Sequence, residues 1–224
     1  MEIIQRRLLS KKKSPSLLPK EYQQVEWIES SGGAFIDTNQ KFTHPISFKV
    51  RVQKITPEAV NVFGATGNAS STNTGYGGRV IFNSNNASNE MYNAIAYYNQ
   101  YQAYLPLNFG KWSEIELGNG YAVFDGVQKT FTTGRYSSTF NIALFGINNS
   151  GTVSSSPVRI SMFQIHTGDV EPVVARDFIP CYRKSDGMVG MYDLSGSVCP
   201  LTGTPLYINA GAGEFIKGDD VNAL

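Results

Sequence analysis

Residues 111–126 read KWSEIELGNGYAVFDG, and this stretch decides the fold more clearly than any other part of the chain. Polar and apolar residues alternate over 112–117 and again over 121–124. Period-two alternation is typical of half-buried strands, and Asn-Gly and Asp-Gly are the strongest short hairpin signals. The pairs Asn119-Gly120 and Asp125-Gly126 occupy those places. The stretch therefore predicts consecutive antiparallel strands joined by tight turns.

Short β-type runs continue on both sides of this hairpin. They cover residues 25–29, 34–38, 46–55, 60–63, 79–82, 127–132, 140–147 and 158–166. No stretch before Val170 has a convincing helical period, so the chain is predicted to be an antiparallel β-sandwich of about a dozen strands.

The composition agrees with this fold class. Of the 224 residues, 41% are hydrophobic and only 17% are charged, against roughly 25% charged in ordinary soluble domains. Such a balance excludes a disordered chain and argues against a helical bundle. No run reaches the ~18–20 apolar residues that a transmembrane helix needs, so we expect a soluble protein without a membrane span.

The charge is unevenly distributed. Residues 1–20 contain six cations and one anion, a net charge of +5, whereas the rest of the chain carries −4. We therefore expect residues 1–18 to be an extended basic arm and residues 19–224 to be one domain, with the arm docking on an acidic partner; a solvated terminus is the alternative. The first apolar pairs are interrupted by charges, so classical secretion is not expected. The residues assigned to docking are Arg6, Arg7, Lys11, Lys12 and Lys13.

Metal and cofactor chemistry finds little support in the sequence. The two cysteines, Cys181 and Cys199, are predicted to be buried thiols, and whether they pair is left open. The two histidines, His44 and His166, have no ligand spacing with them, so no metal and no cofactor is expected. A calcium site would need carboxylates brought together from distant positions, for which the candidates are Asp37, Asp125 and Asp193.

Tyrosines interleaved with asparagine and glutamine form the candidate ligand-binding residues. An aromatic face packs against the C–H face of a sugar ring, and side-chain amides bond its hydroxyls. The same residue types also build protein interfaces or an ordinary sheet surface, and these alternatives stay open. The predicted glycan-binding residues are Tyr76, Tyr97, Tyr98 and Tyr101.

Three groups of residues carry a resemblance to a known family. The central hairpin with Ile142–Gly146 resembles concanavalin A-like lectin and laminin-G-like jelly rolls. The opening LPKEYQQVEWIESSG (residues 18–32) and the closing motifs resemble lectin-like modules of gut bacteria and their phages. The closing motifs are ARDFIPC (175–181), GMYD (190–193) and NAGAGEF (209–215). The linker CPLTGTP (199–205) is longer than in the family pattern and puts the local C-terminal packing in doubt.

The resemblance implies a concanavalin A-like jelly-roll β-sandwich that occurs in virion fibres, decoration proteins and bacterial surface proteins. Related glucanases place three acidic residues on alternate positions of one strand, but here only Glu114 and Glu116 alternate. We therefore interpret this pair as a solvent-facing strand edge and expect no enzymatic activity.

The function predicted from these features is that of a non-enzymatic bacteriophage virion subunit, assembled in the host cytoplasm. The arm would anchor it to other virion structural proteins, and the lectin-like domain would contact host surface glycans. We expect a homo-oligomer and no role for nucleic acid. The alternative is a free carbohydrate-binding lectin module of a gut bacterium.

Overall fold

The computed structural model describes residues 18–67, 77–82, 92–99, 101–107, 110–132, 137–168 and 171–221. Within these ranges the chain forms nineteen strands and no α-helix. No helix in this part of the chain is long and apolar enough to span a membrane. The strands are β1 Tyr22–Gln24, β2 Ile28–Ser30, β3 Ile36–Thr43, β4 Ile46–Gln53, β5 Val60–Thr66, β6 Gly77–Phe82, β7 Tyr92–Asn99, β8 Tyr101–Leu107, β9 Trp112–Gly118, β10 Tyr121–Phe124, β11 Val127–Thr130, β12 Ser137–Leu144, β13 Gly146–Asn149, β14 Thr152–Ser155, β15 Arg159–Thr167, β16 Val173–Arg183, β17 Val189–Asp193, β18 Leu206–Ile208 and β19 Phe215–Lys217.

The strands form two sheets. The first follows the order β11-β10-β9-β4-β15-β16-β17-β18, and β1, β2 and β19 attach beside this path. The second follows β14-β13-β5-β6-β7-β8, with β12 and β3 joined to it through β5. Strands β5 and β13 pair in parallel, and the other ladders are antiparallel. The predicted all-β sandwich of two sheets is thus confirmed, with more strands than the sequence pattern indicated.

Phenylalanine rings fill the space between the sheets. Phe48 of β4 and Phe163 of β15 come from the first sheet, and Phe63 of β5 comes from the second. The Phe63 ring centroid lies 4.9 Å from that of Phe48 and 5.0 Å from that of Phe163. All three side chains are buried. Alternate residues of each strand face this core, which leaves the other half of each strand facing outward.

One predicted strand is divided in the structure. The sequence pattern indicated a single strand over residues 140–147, but β12 ends at Leu144 and β13 begins at Gly146. Phe145 between them has a φ of +67°, outside the strand region. Its ring is fully buried, with its centroid 5.0 Å from that of Phe215. Burial of this ring is what holds the break in place.

The opening and closing sequence motifs meet in space. The backbone N–H of Ser31 donates to the carbonyl of Glu214 at 3.0 Å, and that of Ala210 donates to the carbonyl of Phe35 at 2.9 Å. Gly211 lies so close to this segment that a Cβ there would be 2.0 Å from the carbonyl oxygen of Gly33. The glycines of the two motifs therefore allow the two ends of the domain to pack backbone against backbone.

A smaller apolar cluster lies on the opposite face of the first sheet. Leu18, the first described residue, packs there against Ile179, Cys181 and Leu206. Cys199 belongs instead to the main core, and both thiols are free and buried. Burial raises the pKa of the Cys181 thiol to about 12. The Cys181 thiol is therefore protonated at neutral pH, and both cysteines are buried, unpaired thiols, in agreement with the sequence prediction.

Candidate functional site

Both tryptophans of the chain lie on one groove in the outer face of the first sheet. The groove has a volume of about 430 Å³. Trp27 lies on one side and Trp112 on the other, and Arg51 and Met162 lie on the strands between them. Polar Glu26 and apolar Val221 also border the groove. No other described hollow of the molecule combines two indole rings.

A straight row of side chains crosses four strands at this groove. In the register of the first sheet, Gln53 of β4 is the partner of Trp112 on β9 and of Arg159 on β15. Arg159 is in turn the partner of Glu29 on β2. Arg159 Nε donates to Glu29 Oε2 at 2.7 Å, and its Nη1 donates to Gln53 Oε1 at 3.3 Å. These contacts fix the Arg159 guanidinium as a rigid part of the surface.

Trp27 packs against two neighbours. The Arg159 guanidinium lies over its ring, 4.1 Å from the centroid. The indole also lies close to the backbone of Gly218, where a Cβ would come within 2.7 Å of Nε1. Gly218 donates its N–H to the Trp27 carbonyl at 2.8 Å, which fixes the backbone at this position. Trp27 is therefore a preorganised wall of the groove.

Arg51 presents uncommitted donors to the groove. Its guanidinium lies over the Trp112 ring, 5.0 Å from the centroid. Within the described residues its hydrogen bonding is limited to a long contact from Nη1 to Ser161 Oγ at 3.4 Å. Glu114 stands opposite it in register, but no carboxylate of these residues forms an ion pair with Arg51. A guanidinium has five N–H donors, so most of them remain available to a ligand.

A β-bulge widens the floor of the groove. The register of β15 against β4 shifts between Ile160 and Met162, so Ser161 and Met162 both lie beside Arg51. A bulge places two residues opposite one and re-aims their side chains. Here the bulge places the Ser161 hydroxyl and the Met162 thioether together beside Arg51, where regular pairing would place only one side chain.

The two ends of the domain build one wall of the groove. Val25 forms an isolated bridge with Asp220. The backbone N–H of Glu26 donates to the carbonyl of Asp219 at 2.9 Å, and that of Val221 donates to the carbonyl of Gln24 at 2.9 Å. The wall therefore exists only when the opening and closing segments are paired.

The two glutamates singled out in the sequence lie on the same outer face. Glu116 forms an ion pair with Lys49 at 3.3 Å, and Glu114 stands opposite Arg51 in register. Their strand is not at a sheet edge, because β9 pairs with β4 on one side and with β10 on the other. The prediction of a solvent-facing position was right, and that of an edge was wrong.

The predicted site residues fall elsewhere. Tyr76 and the docking residues Arg6, Arg7, Lys11, Lys12 and Lys13 lie outside the described residues. Tyr97 and Tyr98 are on β7, and Tyr101 is on β8, all in the second sheet. Tyr98 and Tyr101 are register partners, whereas Tyr97 pairs with Gln102. Their assignment to glycan binding therefore stays a prediction, and the tryptophan groove lies on the other sheet.

The three aspartates considered for calcium are not gathered together. Asp37 accepts a hydrogen bond from the Asn39 N–H at 2.8 Å, and Asp125 accepts one from the Glu114 N–H at 2.8 Å. Asp193 Oδ2 lies 3.7 Å from Arg176 Nε. The described part of the chain contains no group of three or more histidine, cysteine, aspartate or glutamate side chains suited to a metal ion.

Sequence reasoning used Trp27 and Trp112 only as strand and family markers. Arg51 was part of an alternating strand and Ser161 part of another, so none of these residues stood out as a site. The signal that could have identified the two tryptophans as site residues is composition. The chain has only two tryptophans. Trp27 directly precedes β2 and Trp112 opens β9, and both strands have polar residues at their outward positions.

Comparisons with known proteins give structural neighbours but no sequence family. No protein-family model matches the chain, and no curated protein matches it in sequence. Among solved structures, the native heptameric SAP-like pentraxin from Limulus polyphemus is similar at 11% identity and a TM-score of 0.38, covering 63% of this chain and 70% of that chain. Domains LG4-5 of the mouse laminin α1 chain are similar at 12% identity and a TM-score of 0.37, covering 77% of this chain. This chain spans about half of that laminin structure, 49% of its length.

Proposed function

We propose that this domain binds carbohydrate without enzymatic turnover and that its ligand lies in the groove between Trp27 and Trp112. The observation that carries the proposal is the convergence of both tryptophans on one open groove beside an arginine that has no ion-pair partner among the described residues. Aromatic surfaces suit the apolar faces of sugar rings, and guanidinium and carboxylate groups suit their hydroxyls. The groove offers both kinds of group within one hollow.

The arrangement supports binding more than hydrolysis. A retaining glycosidase needs two carboxyl groups about 5–5.5 Å apart that are free to act as acid and nucleophile. On this face Glu116 is paired with Lys49 and Glu29 is paired with Arg159, while Glu114 forms no ion pair among the described residues but does not line the groove. Glu26 is the carboxylate that lines the groove itself. We therefore propose a ligand-binding role with no catalytic step.

Replacing Trp112 tests this role. We expect Trp112→Ala to weaken glycan binding by about 10- to 100-fold, the range of an aromatic hot spot worth about 1.4–3 kcal/mol. Wild-type and variant proteins would be compared on a glycan array, and the affinities for the best ligands measured by calorimetry. Trp112→Phe keeps an aromatic surface and should retain part of the affinity.

Two controls make the result decisive. Arg51→Gln removes the uncommitted guanidinium while leaving both indoles, and we expect it to weaken binding too. Tyr98→Ala changes the tyrosine cluster of the second sheet and should leave affinity unchanged. A Trp112→Ala protein that is folded by circular dichroism and binds like wild type would exclude this groove, and loss of binding in Tyr98→Ala would place the site on the second sheet.

For the biological role of the protein, we propose that it is a subunit of a bacteriophage virion, anchored by its basic arm. It would be a fibre, decoration or adhesion component. Support comes from the +5 charge of residues 1–20 and from the resemblance of the opening and closing motifs to those of lectin-like phage modules. The chain emerges at Leu18 on the outer side of the first sheet, where this side chain packs on Ile179 and Leu206.

Removing the arm tests the anchoring. Since Leu18 is buried, the deletion should stop at residue 17. We expect the shortened chain to fold like the full chain but to recover no capsid or tail proteins in a pull-down from lysate of the native source. Equal recovery by both forms would overturn anchoring through the arm. Recovery of polysaccharide by both forms, with no virion protein, would favour a free lectin module of a gut bacterium.

A further inference from the structure

A second hollow lies at the other end of the same sheet face. Two cavities of about 190 and 250 Å³ share Ser47, Tyr121 and Pro172 among their lining residues. His166 and the Lys49–Glu116 ion pair border the larger of the two. This hollow combines the Tyr121 ring with several polar groups, as the tryptophan groove combines two indole rings with polar groups.

Tyr121 forms the aromatic surface of the second hollow. Its ring lies over Gly118, its register partner on β9, where a Cβ would be 2.4 Å from the ring atom Cε1. One face of the ring therefore rests on backbone. Burial and then the charge of Glu116 raise the pKa of the Tyr121 phenol, which keeps its O–H as a hydrogen-bond donor at neutral pH. Glycine at 118 is what allows the ring to lie flat on the sheet.

The two hollows are connected along β4. Ser47, Lys49, Arg51 and Gln53 occupy alternate positions, so they share the outer face of the sheet. Ser47 lines the second hollow, Arg51 lines the tryptophan groove, and Gln53 is the partner of Trp112. The distance from position 47 to position 53 is about 20 Å at the rise of a β-strand. This is longer than any single sugar ring.

The surface between the hollows has no excess of either charge. Lys49 is paired with Glu116, Arg51 stands opposite Glu114, and Arg159 is paired with Glu29. Each of these three cations therefore has a carboxylate on the neighbouring strand, as an ion pair for Lys49 and Arg159 and as a register partner without an ion pair for Arg51. Such a surface offers donors and acceptors for hydroxyl groups and gives no electrostatic advantage to a charged ligand.

From this geometry we infer that the ligand is a linear, uncharged oligosaccharide that lies along β4 from Trp112 to Tyr121, rather than a single terminal sugar. The inference rests on the proposed carbohydrate-binding function and specifies its ligand class. The chain would contact the tryptophan groove at one end and the Tyr121 ring at the other. Lys49, Glu116 and Arg51 would meet its hydroxyls in between.

The length of the ligand provides the test. The full-length protein would be titrated with linear gluco-, manno-, xylo- and galacto-oligosaccharides, each from disaccharide to hexasaccharide, and with oligogalacturonates as charged counterparts. We expect affinity in the series that binds to rise about tenfold once the ligand is long enough to reach Tyr121, the effect of one added aromatic contact. The oligogalacturonates should bind no better than their neutral counterparts.

Three variants assign the gain to Tyr121. Tyr121→Ala should abolish the dependence on length and leave disaccharide affinity unchanged. Gly118→Ala, which pushes the ring off the sheet, should have the same effect, whereas Tyr121→Phe should keep the dependence. These readouts compare ligands on one protein, so a general loss of folding cannot imitate them.

The outcomes separate this inference from the proposed function. Binding that Trp112→Ala abolishes but that does not vary with ligand length would keep the function and overturn the extended ligand. A preference for oligogalacturonates would likewise keep the groove and overturn the uncharged ligand. If none of the oligosaccharides binds, the proposed function fails and the inference fails with it.

Discussion

We expect Asp193→Ala to lower the free energy of unfolding by about 3–5 kcal/mol, the cost of removing one partner from a buried ion pair. Asp193 is fully buried at the end of β17. Its Oδ1 accepts hydrogen bonds from the backbone N–H groups of Asp177 and Ser195, each at 2.9 Å. Its Oδ2 lies 3.7 Å from Nε of Arg176, a side chain that is itself 11% exposed.

The cost is large because Arg176 would lose its only carboxylate partner in the described structure. Arg176 also donates to the carbonyls of Thr38 and Asn39, each at 3.0 Å, and so ties the first sheet to β3 of the second. Without Asp193 the guanidinium stays buried with neutral acceptors alone, and two backbone N–H groups lose their acceptor as well.

Denaturant unfolding of wild-type and variant proteins measures the effect. Asp186→Ala is the matched control, since Asp186 forms a salt bridge with Arg183 on the surface and should contribute little there. Equal destabilisation by the two substitutions would contradict the role assigned to the buried pair.

The second large effect is expected at Gly211. A Cβ at this position would lie 2.0 Å from the carbonyl oxygen of Gly33 and 2.9 Å from the ring of Phe35. The first contact is with backbone, so no rotamer change can relieve it, and the two motif segments must separate. We expect Gly211→Ala to destabilise the domain by about 3 kcal/mol, at the upper end of overpacking effects.

Thermal and denaturant unfolding would check this prediction. Ala212→Ser, one residue further on and exposed, is the matched control and should leave stability nearly unchanged. A Gly211→Ala protein as stable as wild type would mean that the opening and closing motifs do not need their close backbone contact.

The fold could be predicted from the sequence because its signals are local. The 111–126 stretch forms β9 and β10 as expected, and Asp125 and Gly126 take the positive φ values of +46° and +82° that an Asp-Gly hairpin turn requires. Local alternation could not predict where a strand breaks for tertiary reasons. Phe145 interrupts the run after β12 because its ring has a place in the core.

The candidate site could not be predicted, because it depends on the register between distant segments. Trp27, Arg51, Trp112 and Ser161 come from four separate parts of the chain and meet only because β4 pairs with β9 and β15 and because β2, which follows Trp27, pairs with β15. Composition favoured residues 92–104 instead, because the high density of tyrosines there can be seen in the sequence without knowing how the strands pair. The stacking of Arg51 on Trp112 and of Arg159 on Trp27 cannot be predicted from the sequence, because the members of each pair are far apart along the chain.

The most direct test of the account follows from the position of the two tryptophans. Because Trp27 and Trp112 are the only indoles of the chain, a ¹⁵N-labelled sample gives one side-chain indole resonance for each. Trp27→Phe and Trp112→Phe assign the two resonances. Saturation with the best-binding oligosaccharide is predicted to shift both of them. A saturable glycan interaction that leaves both resonances in place would contradict the account, because the ligand would then be bound outside the groove.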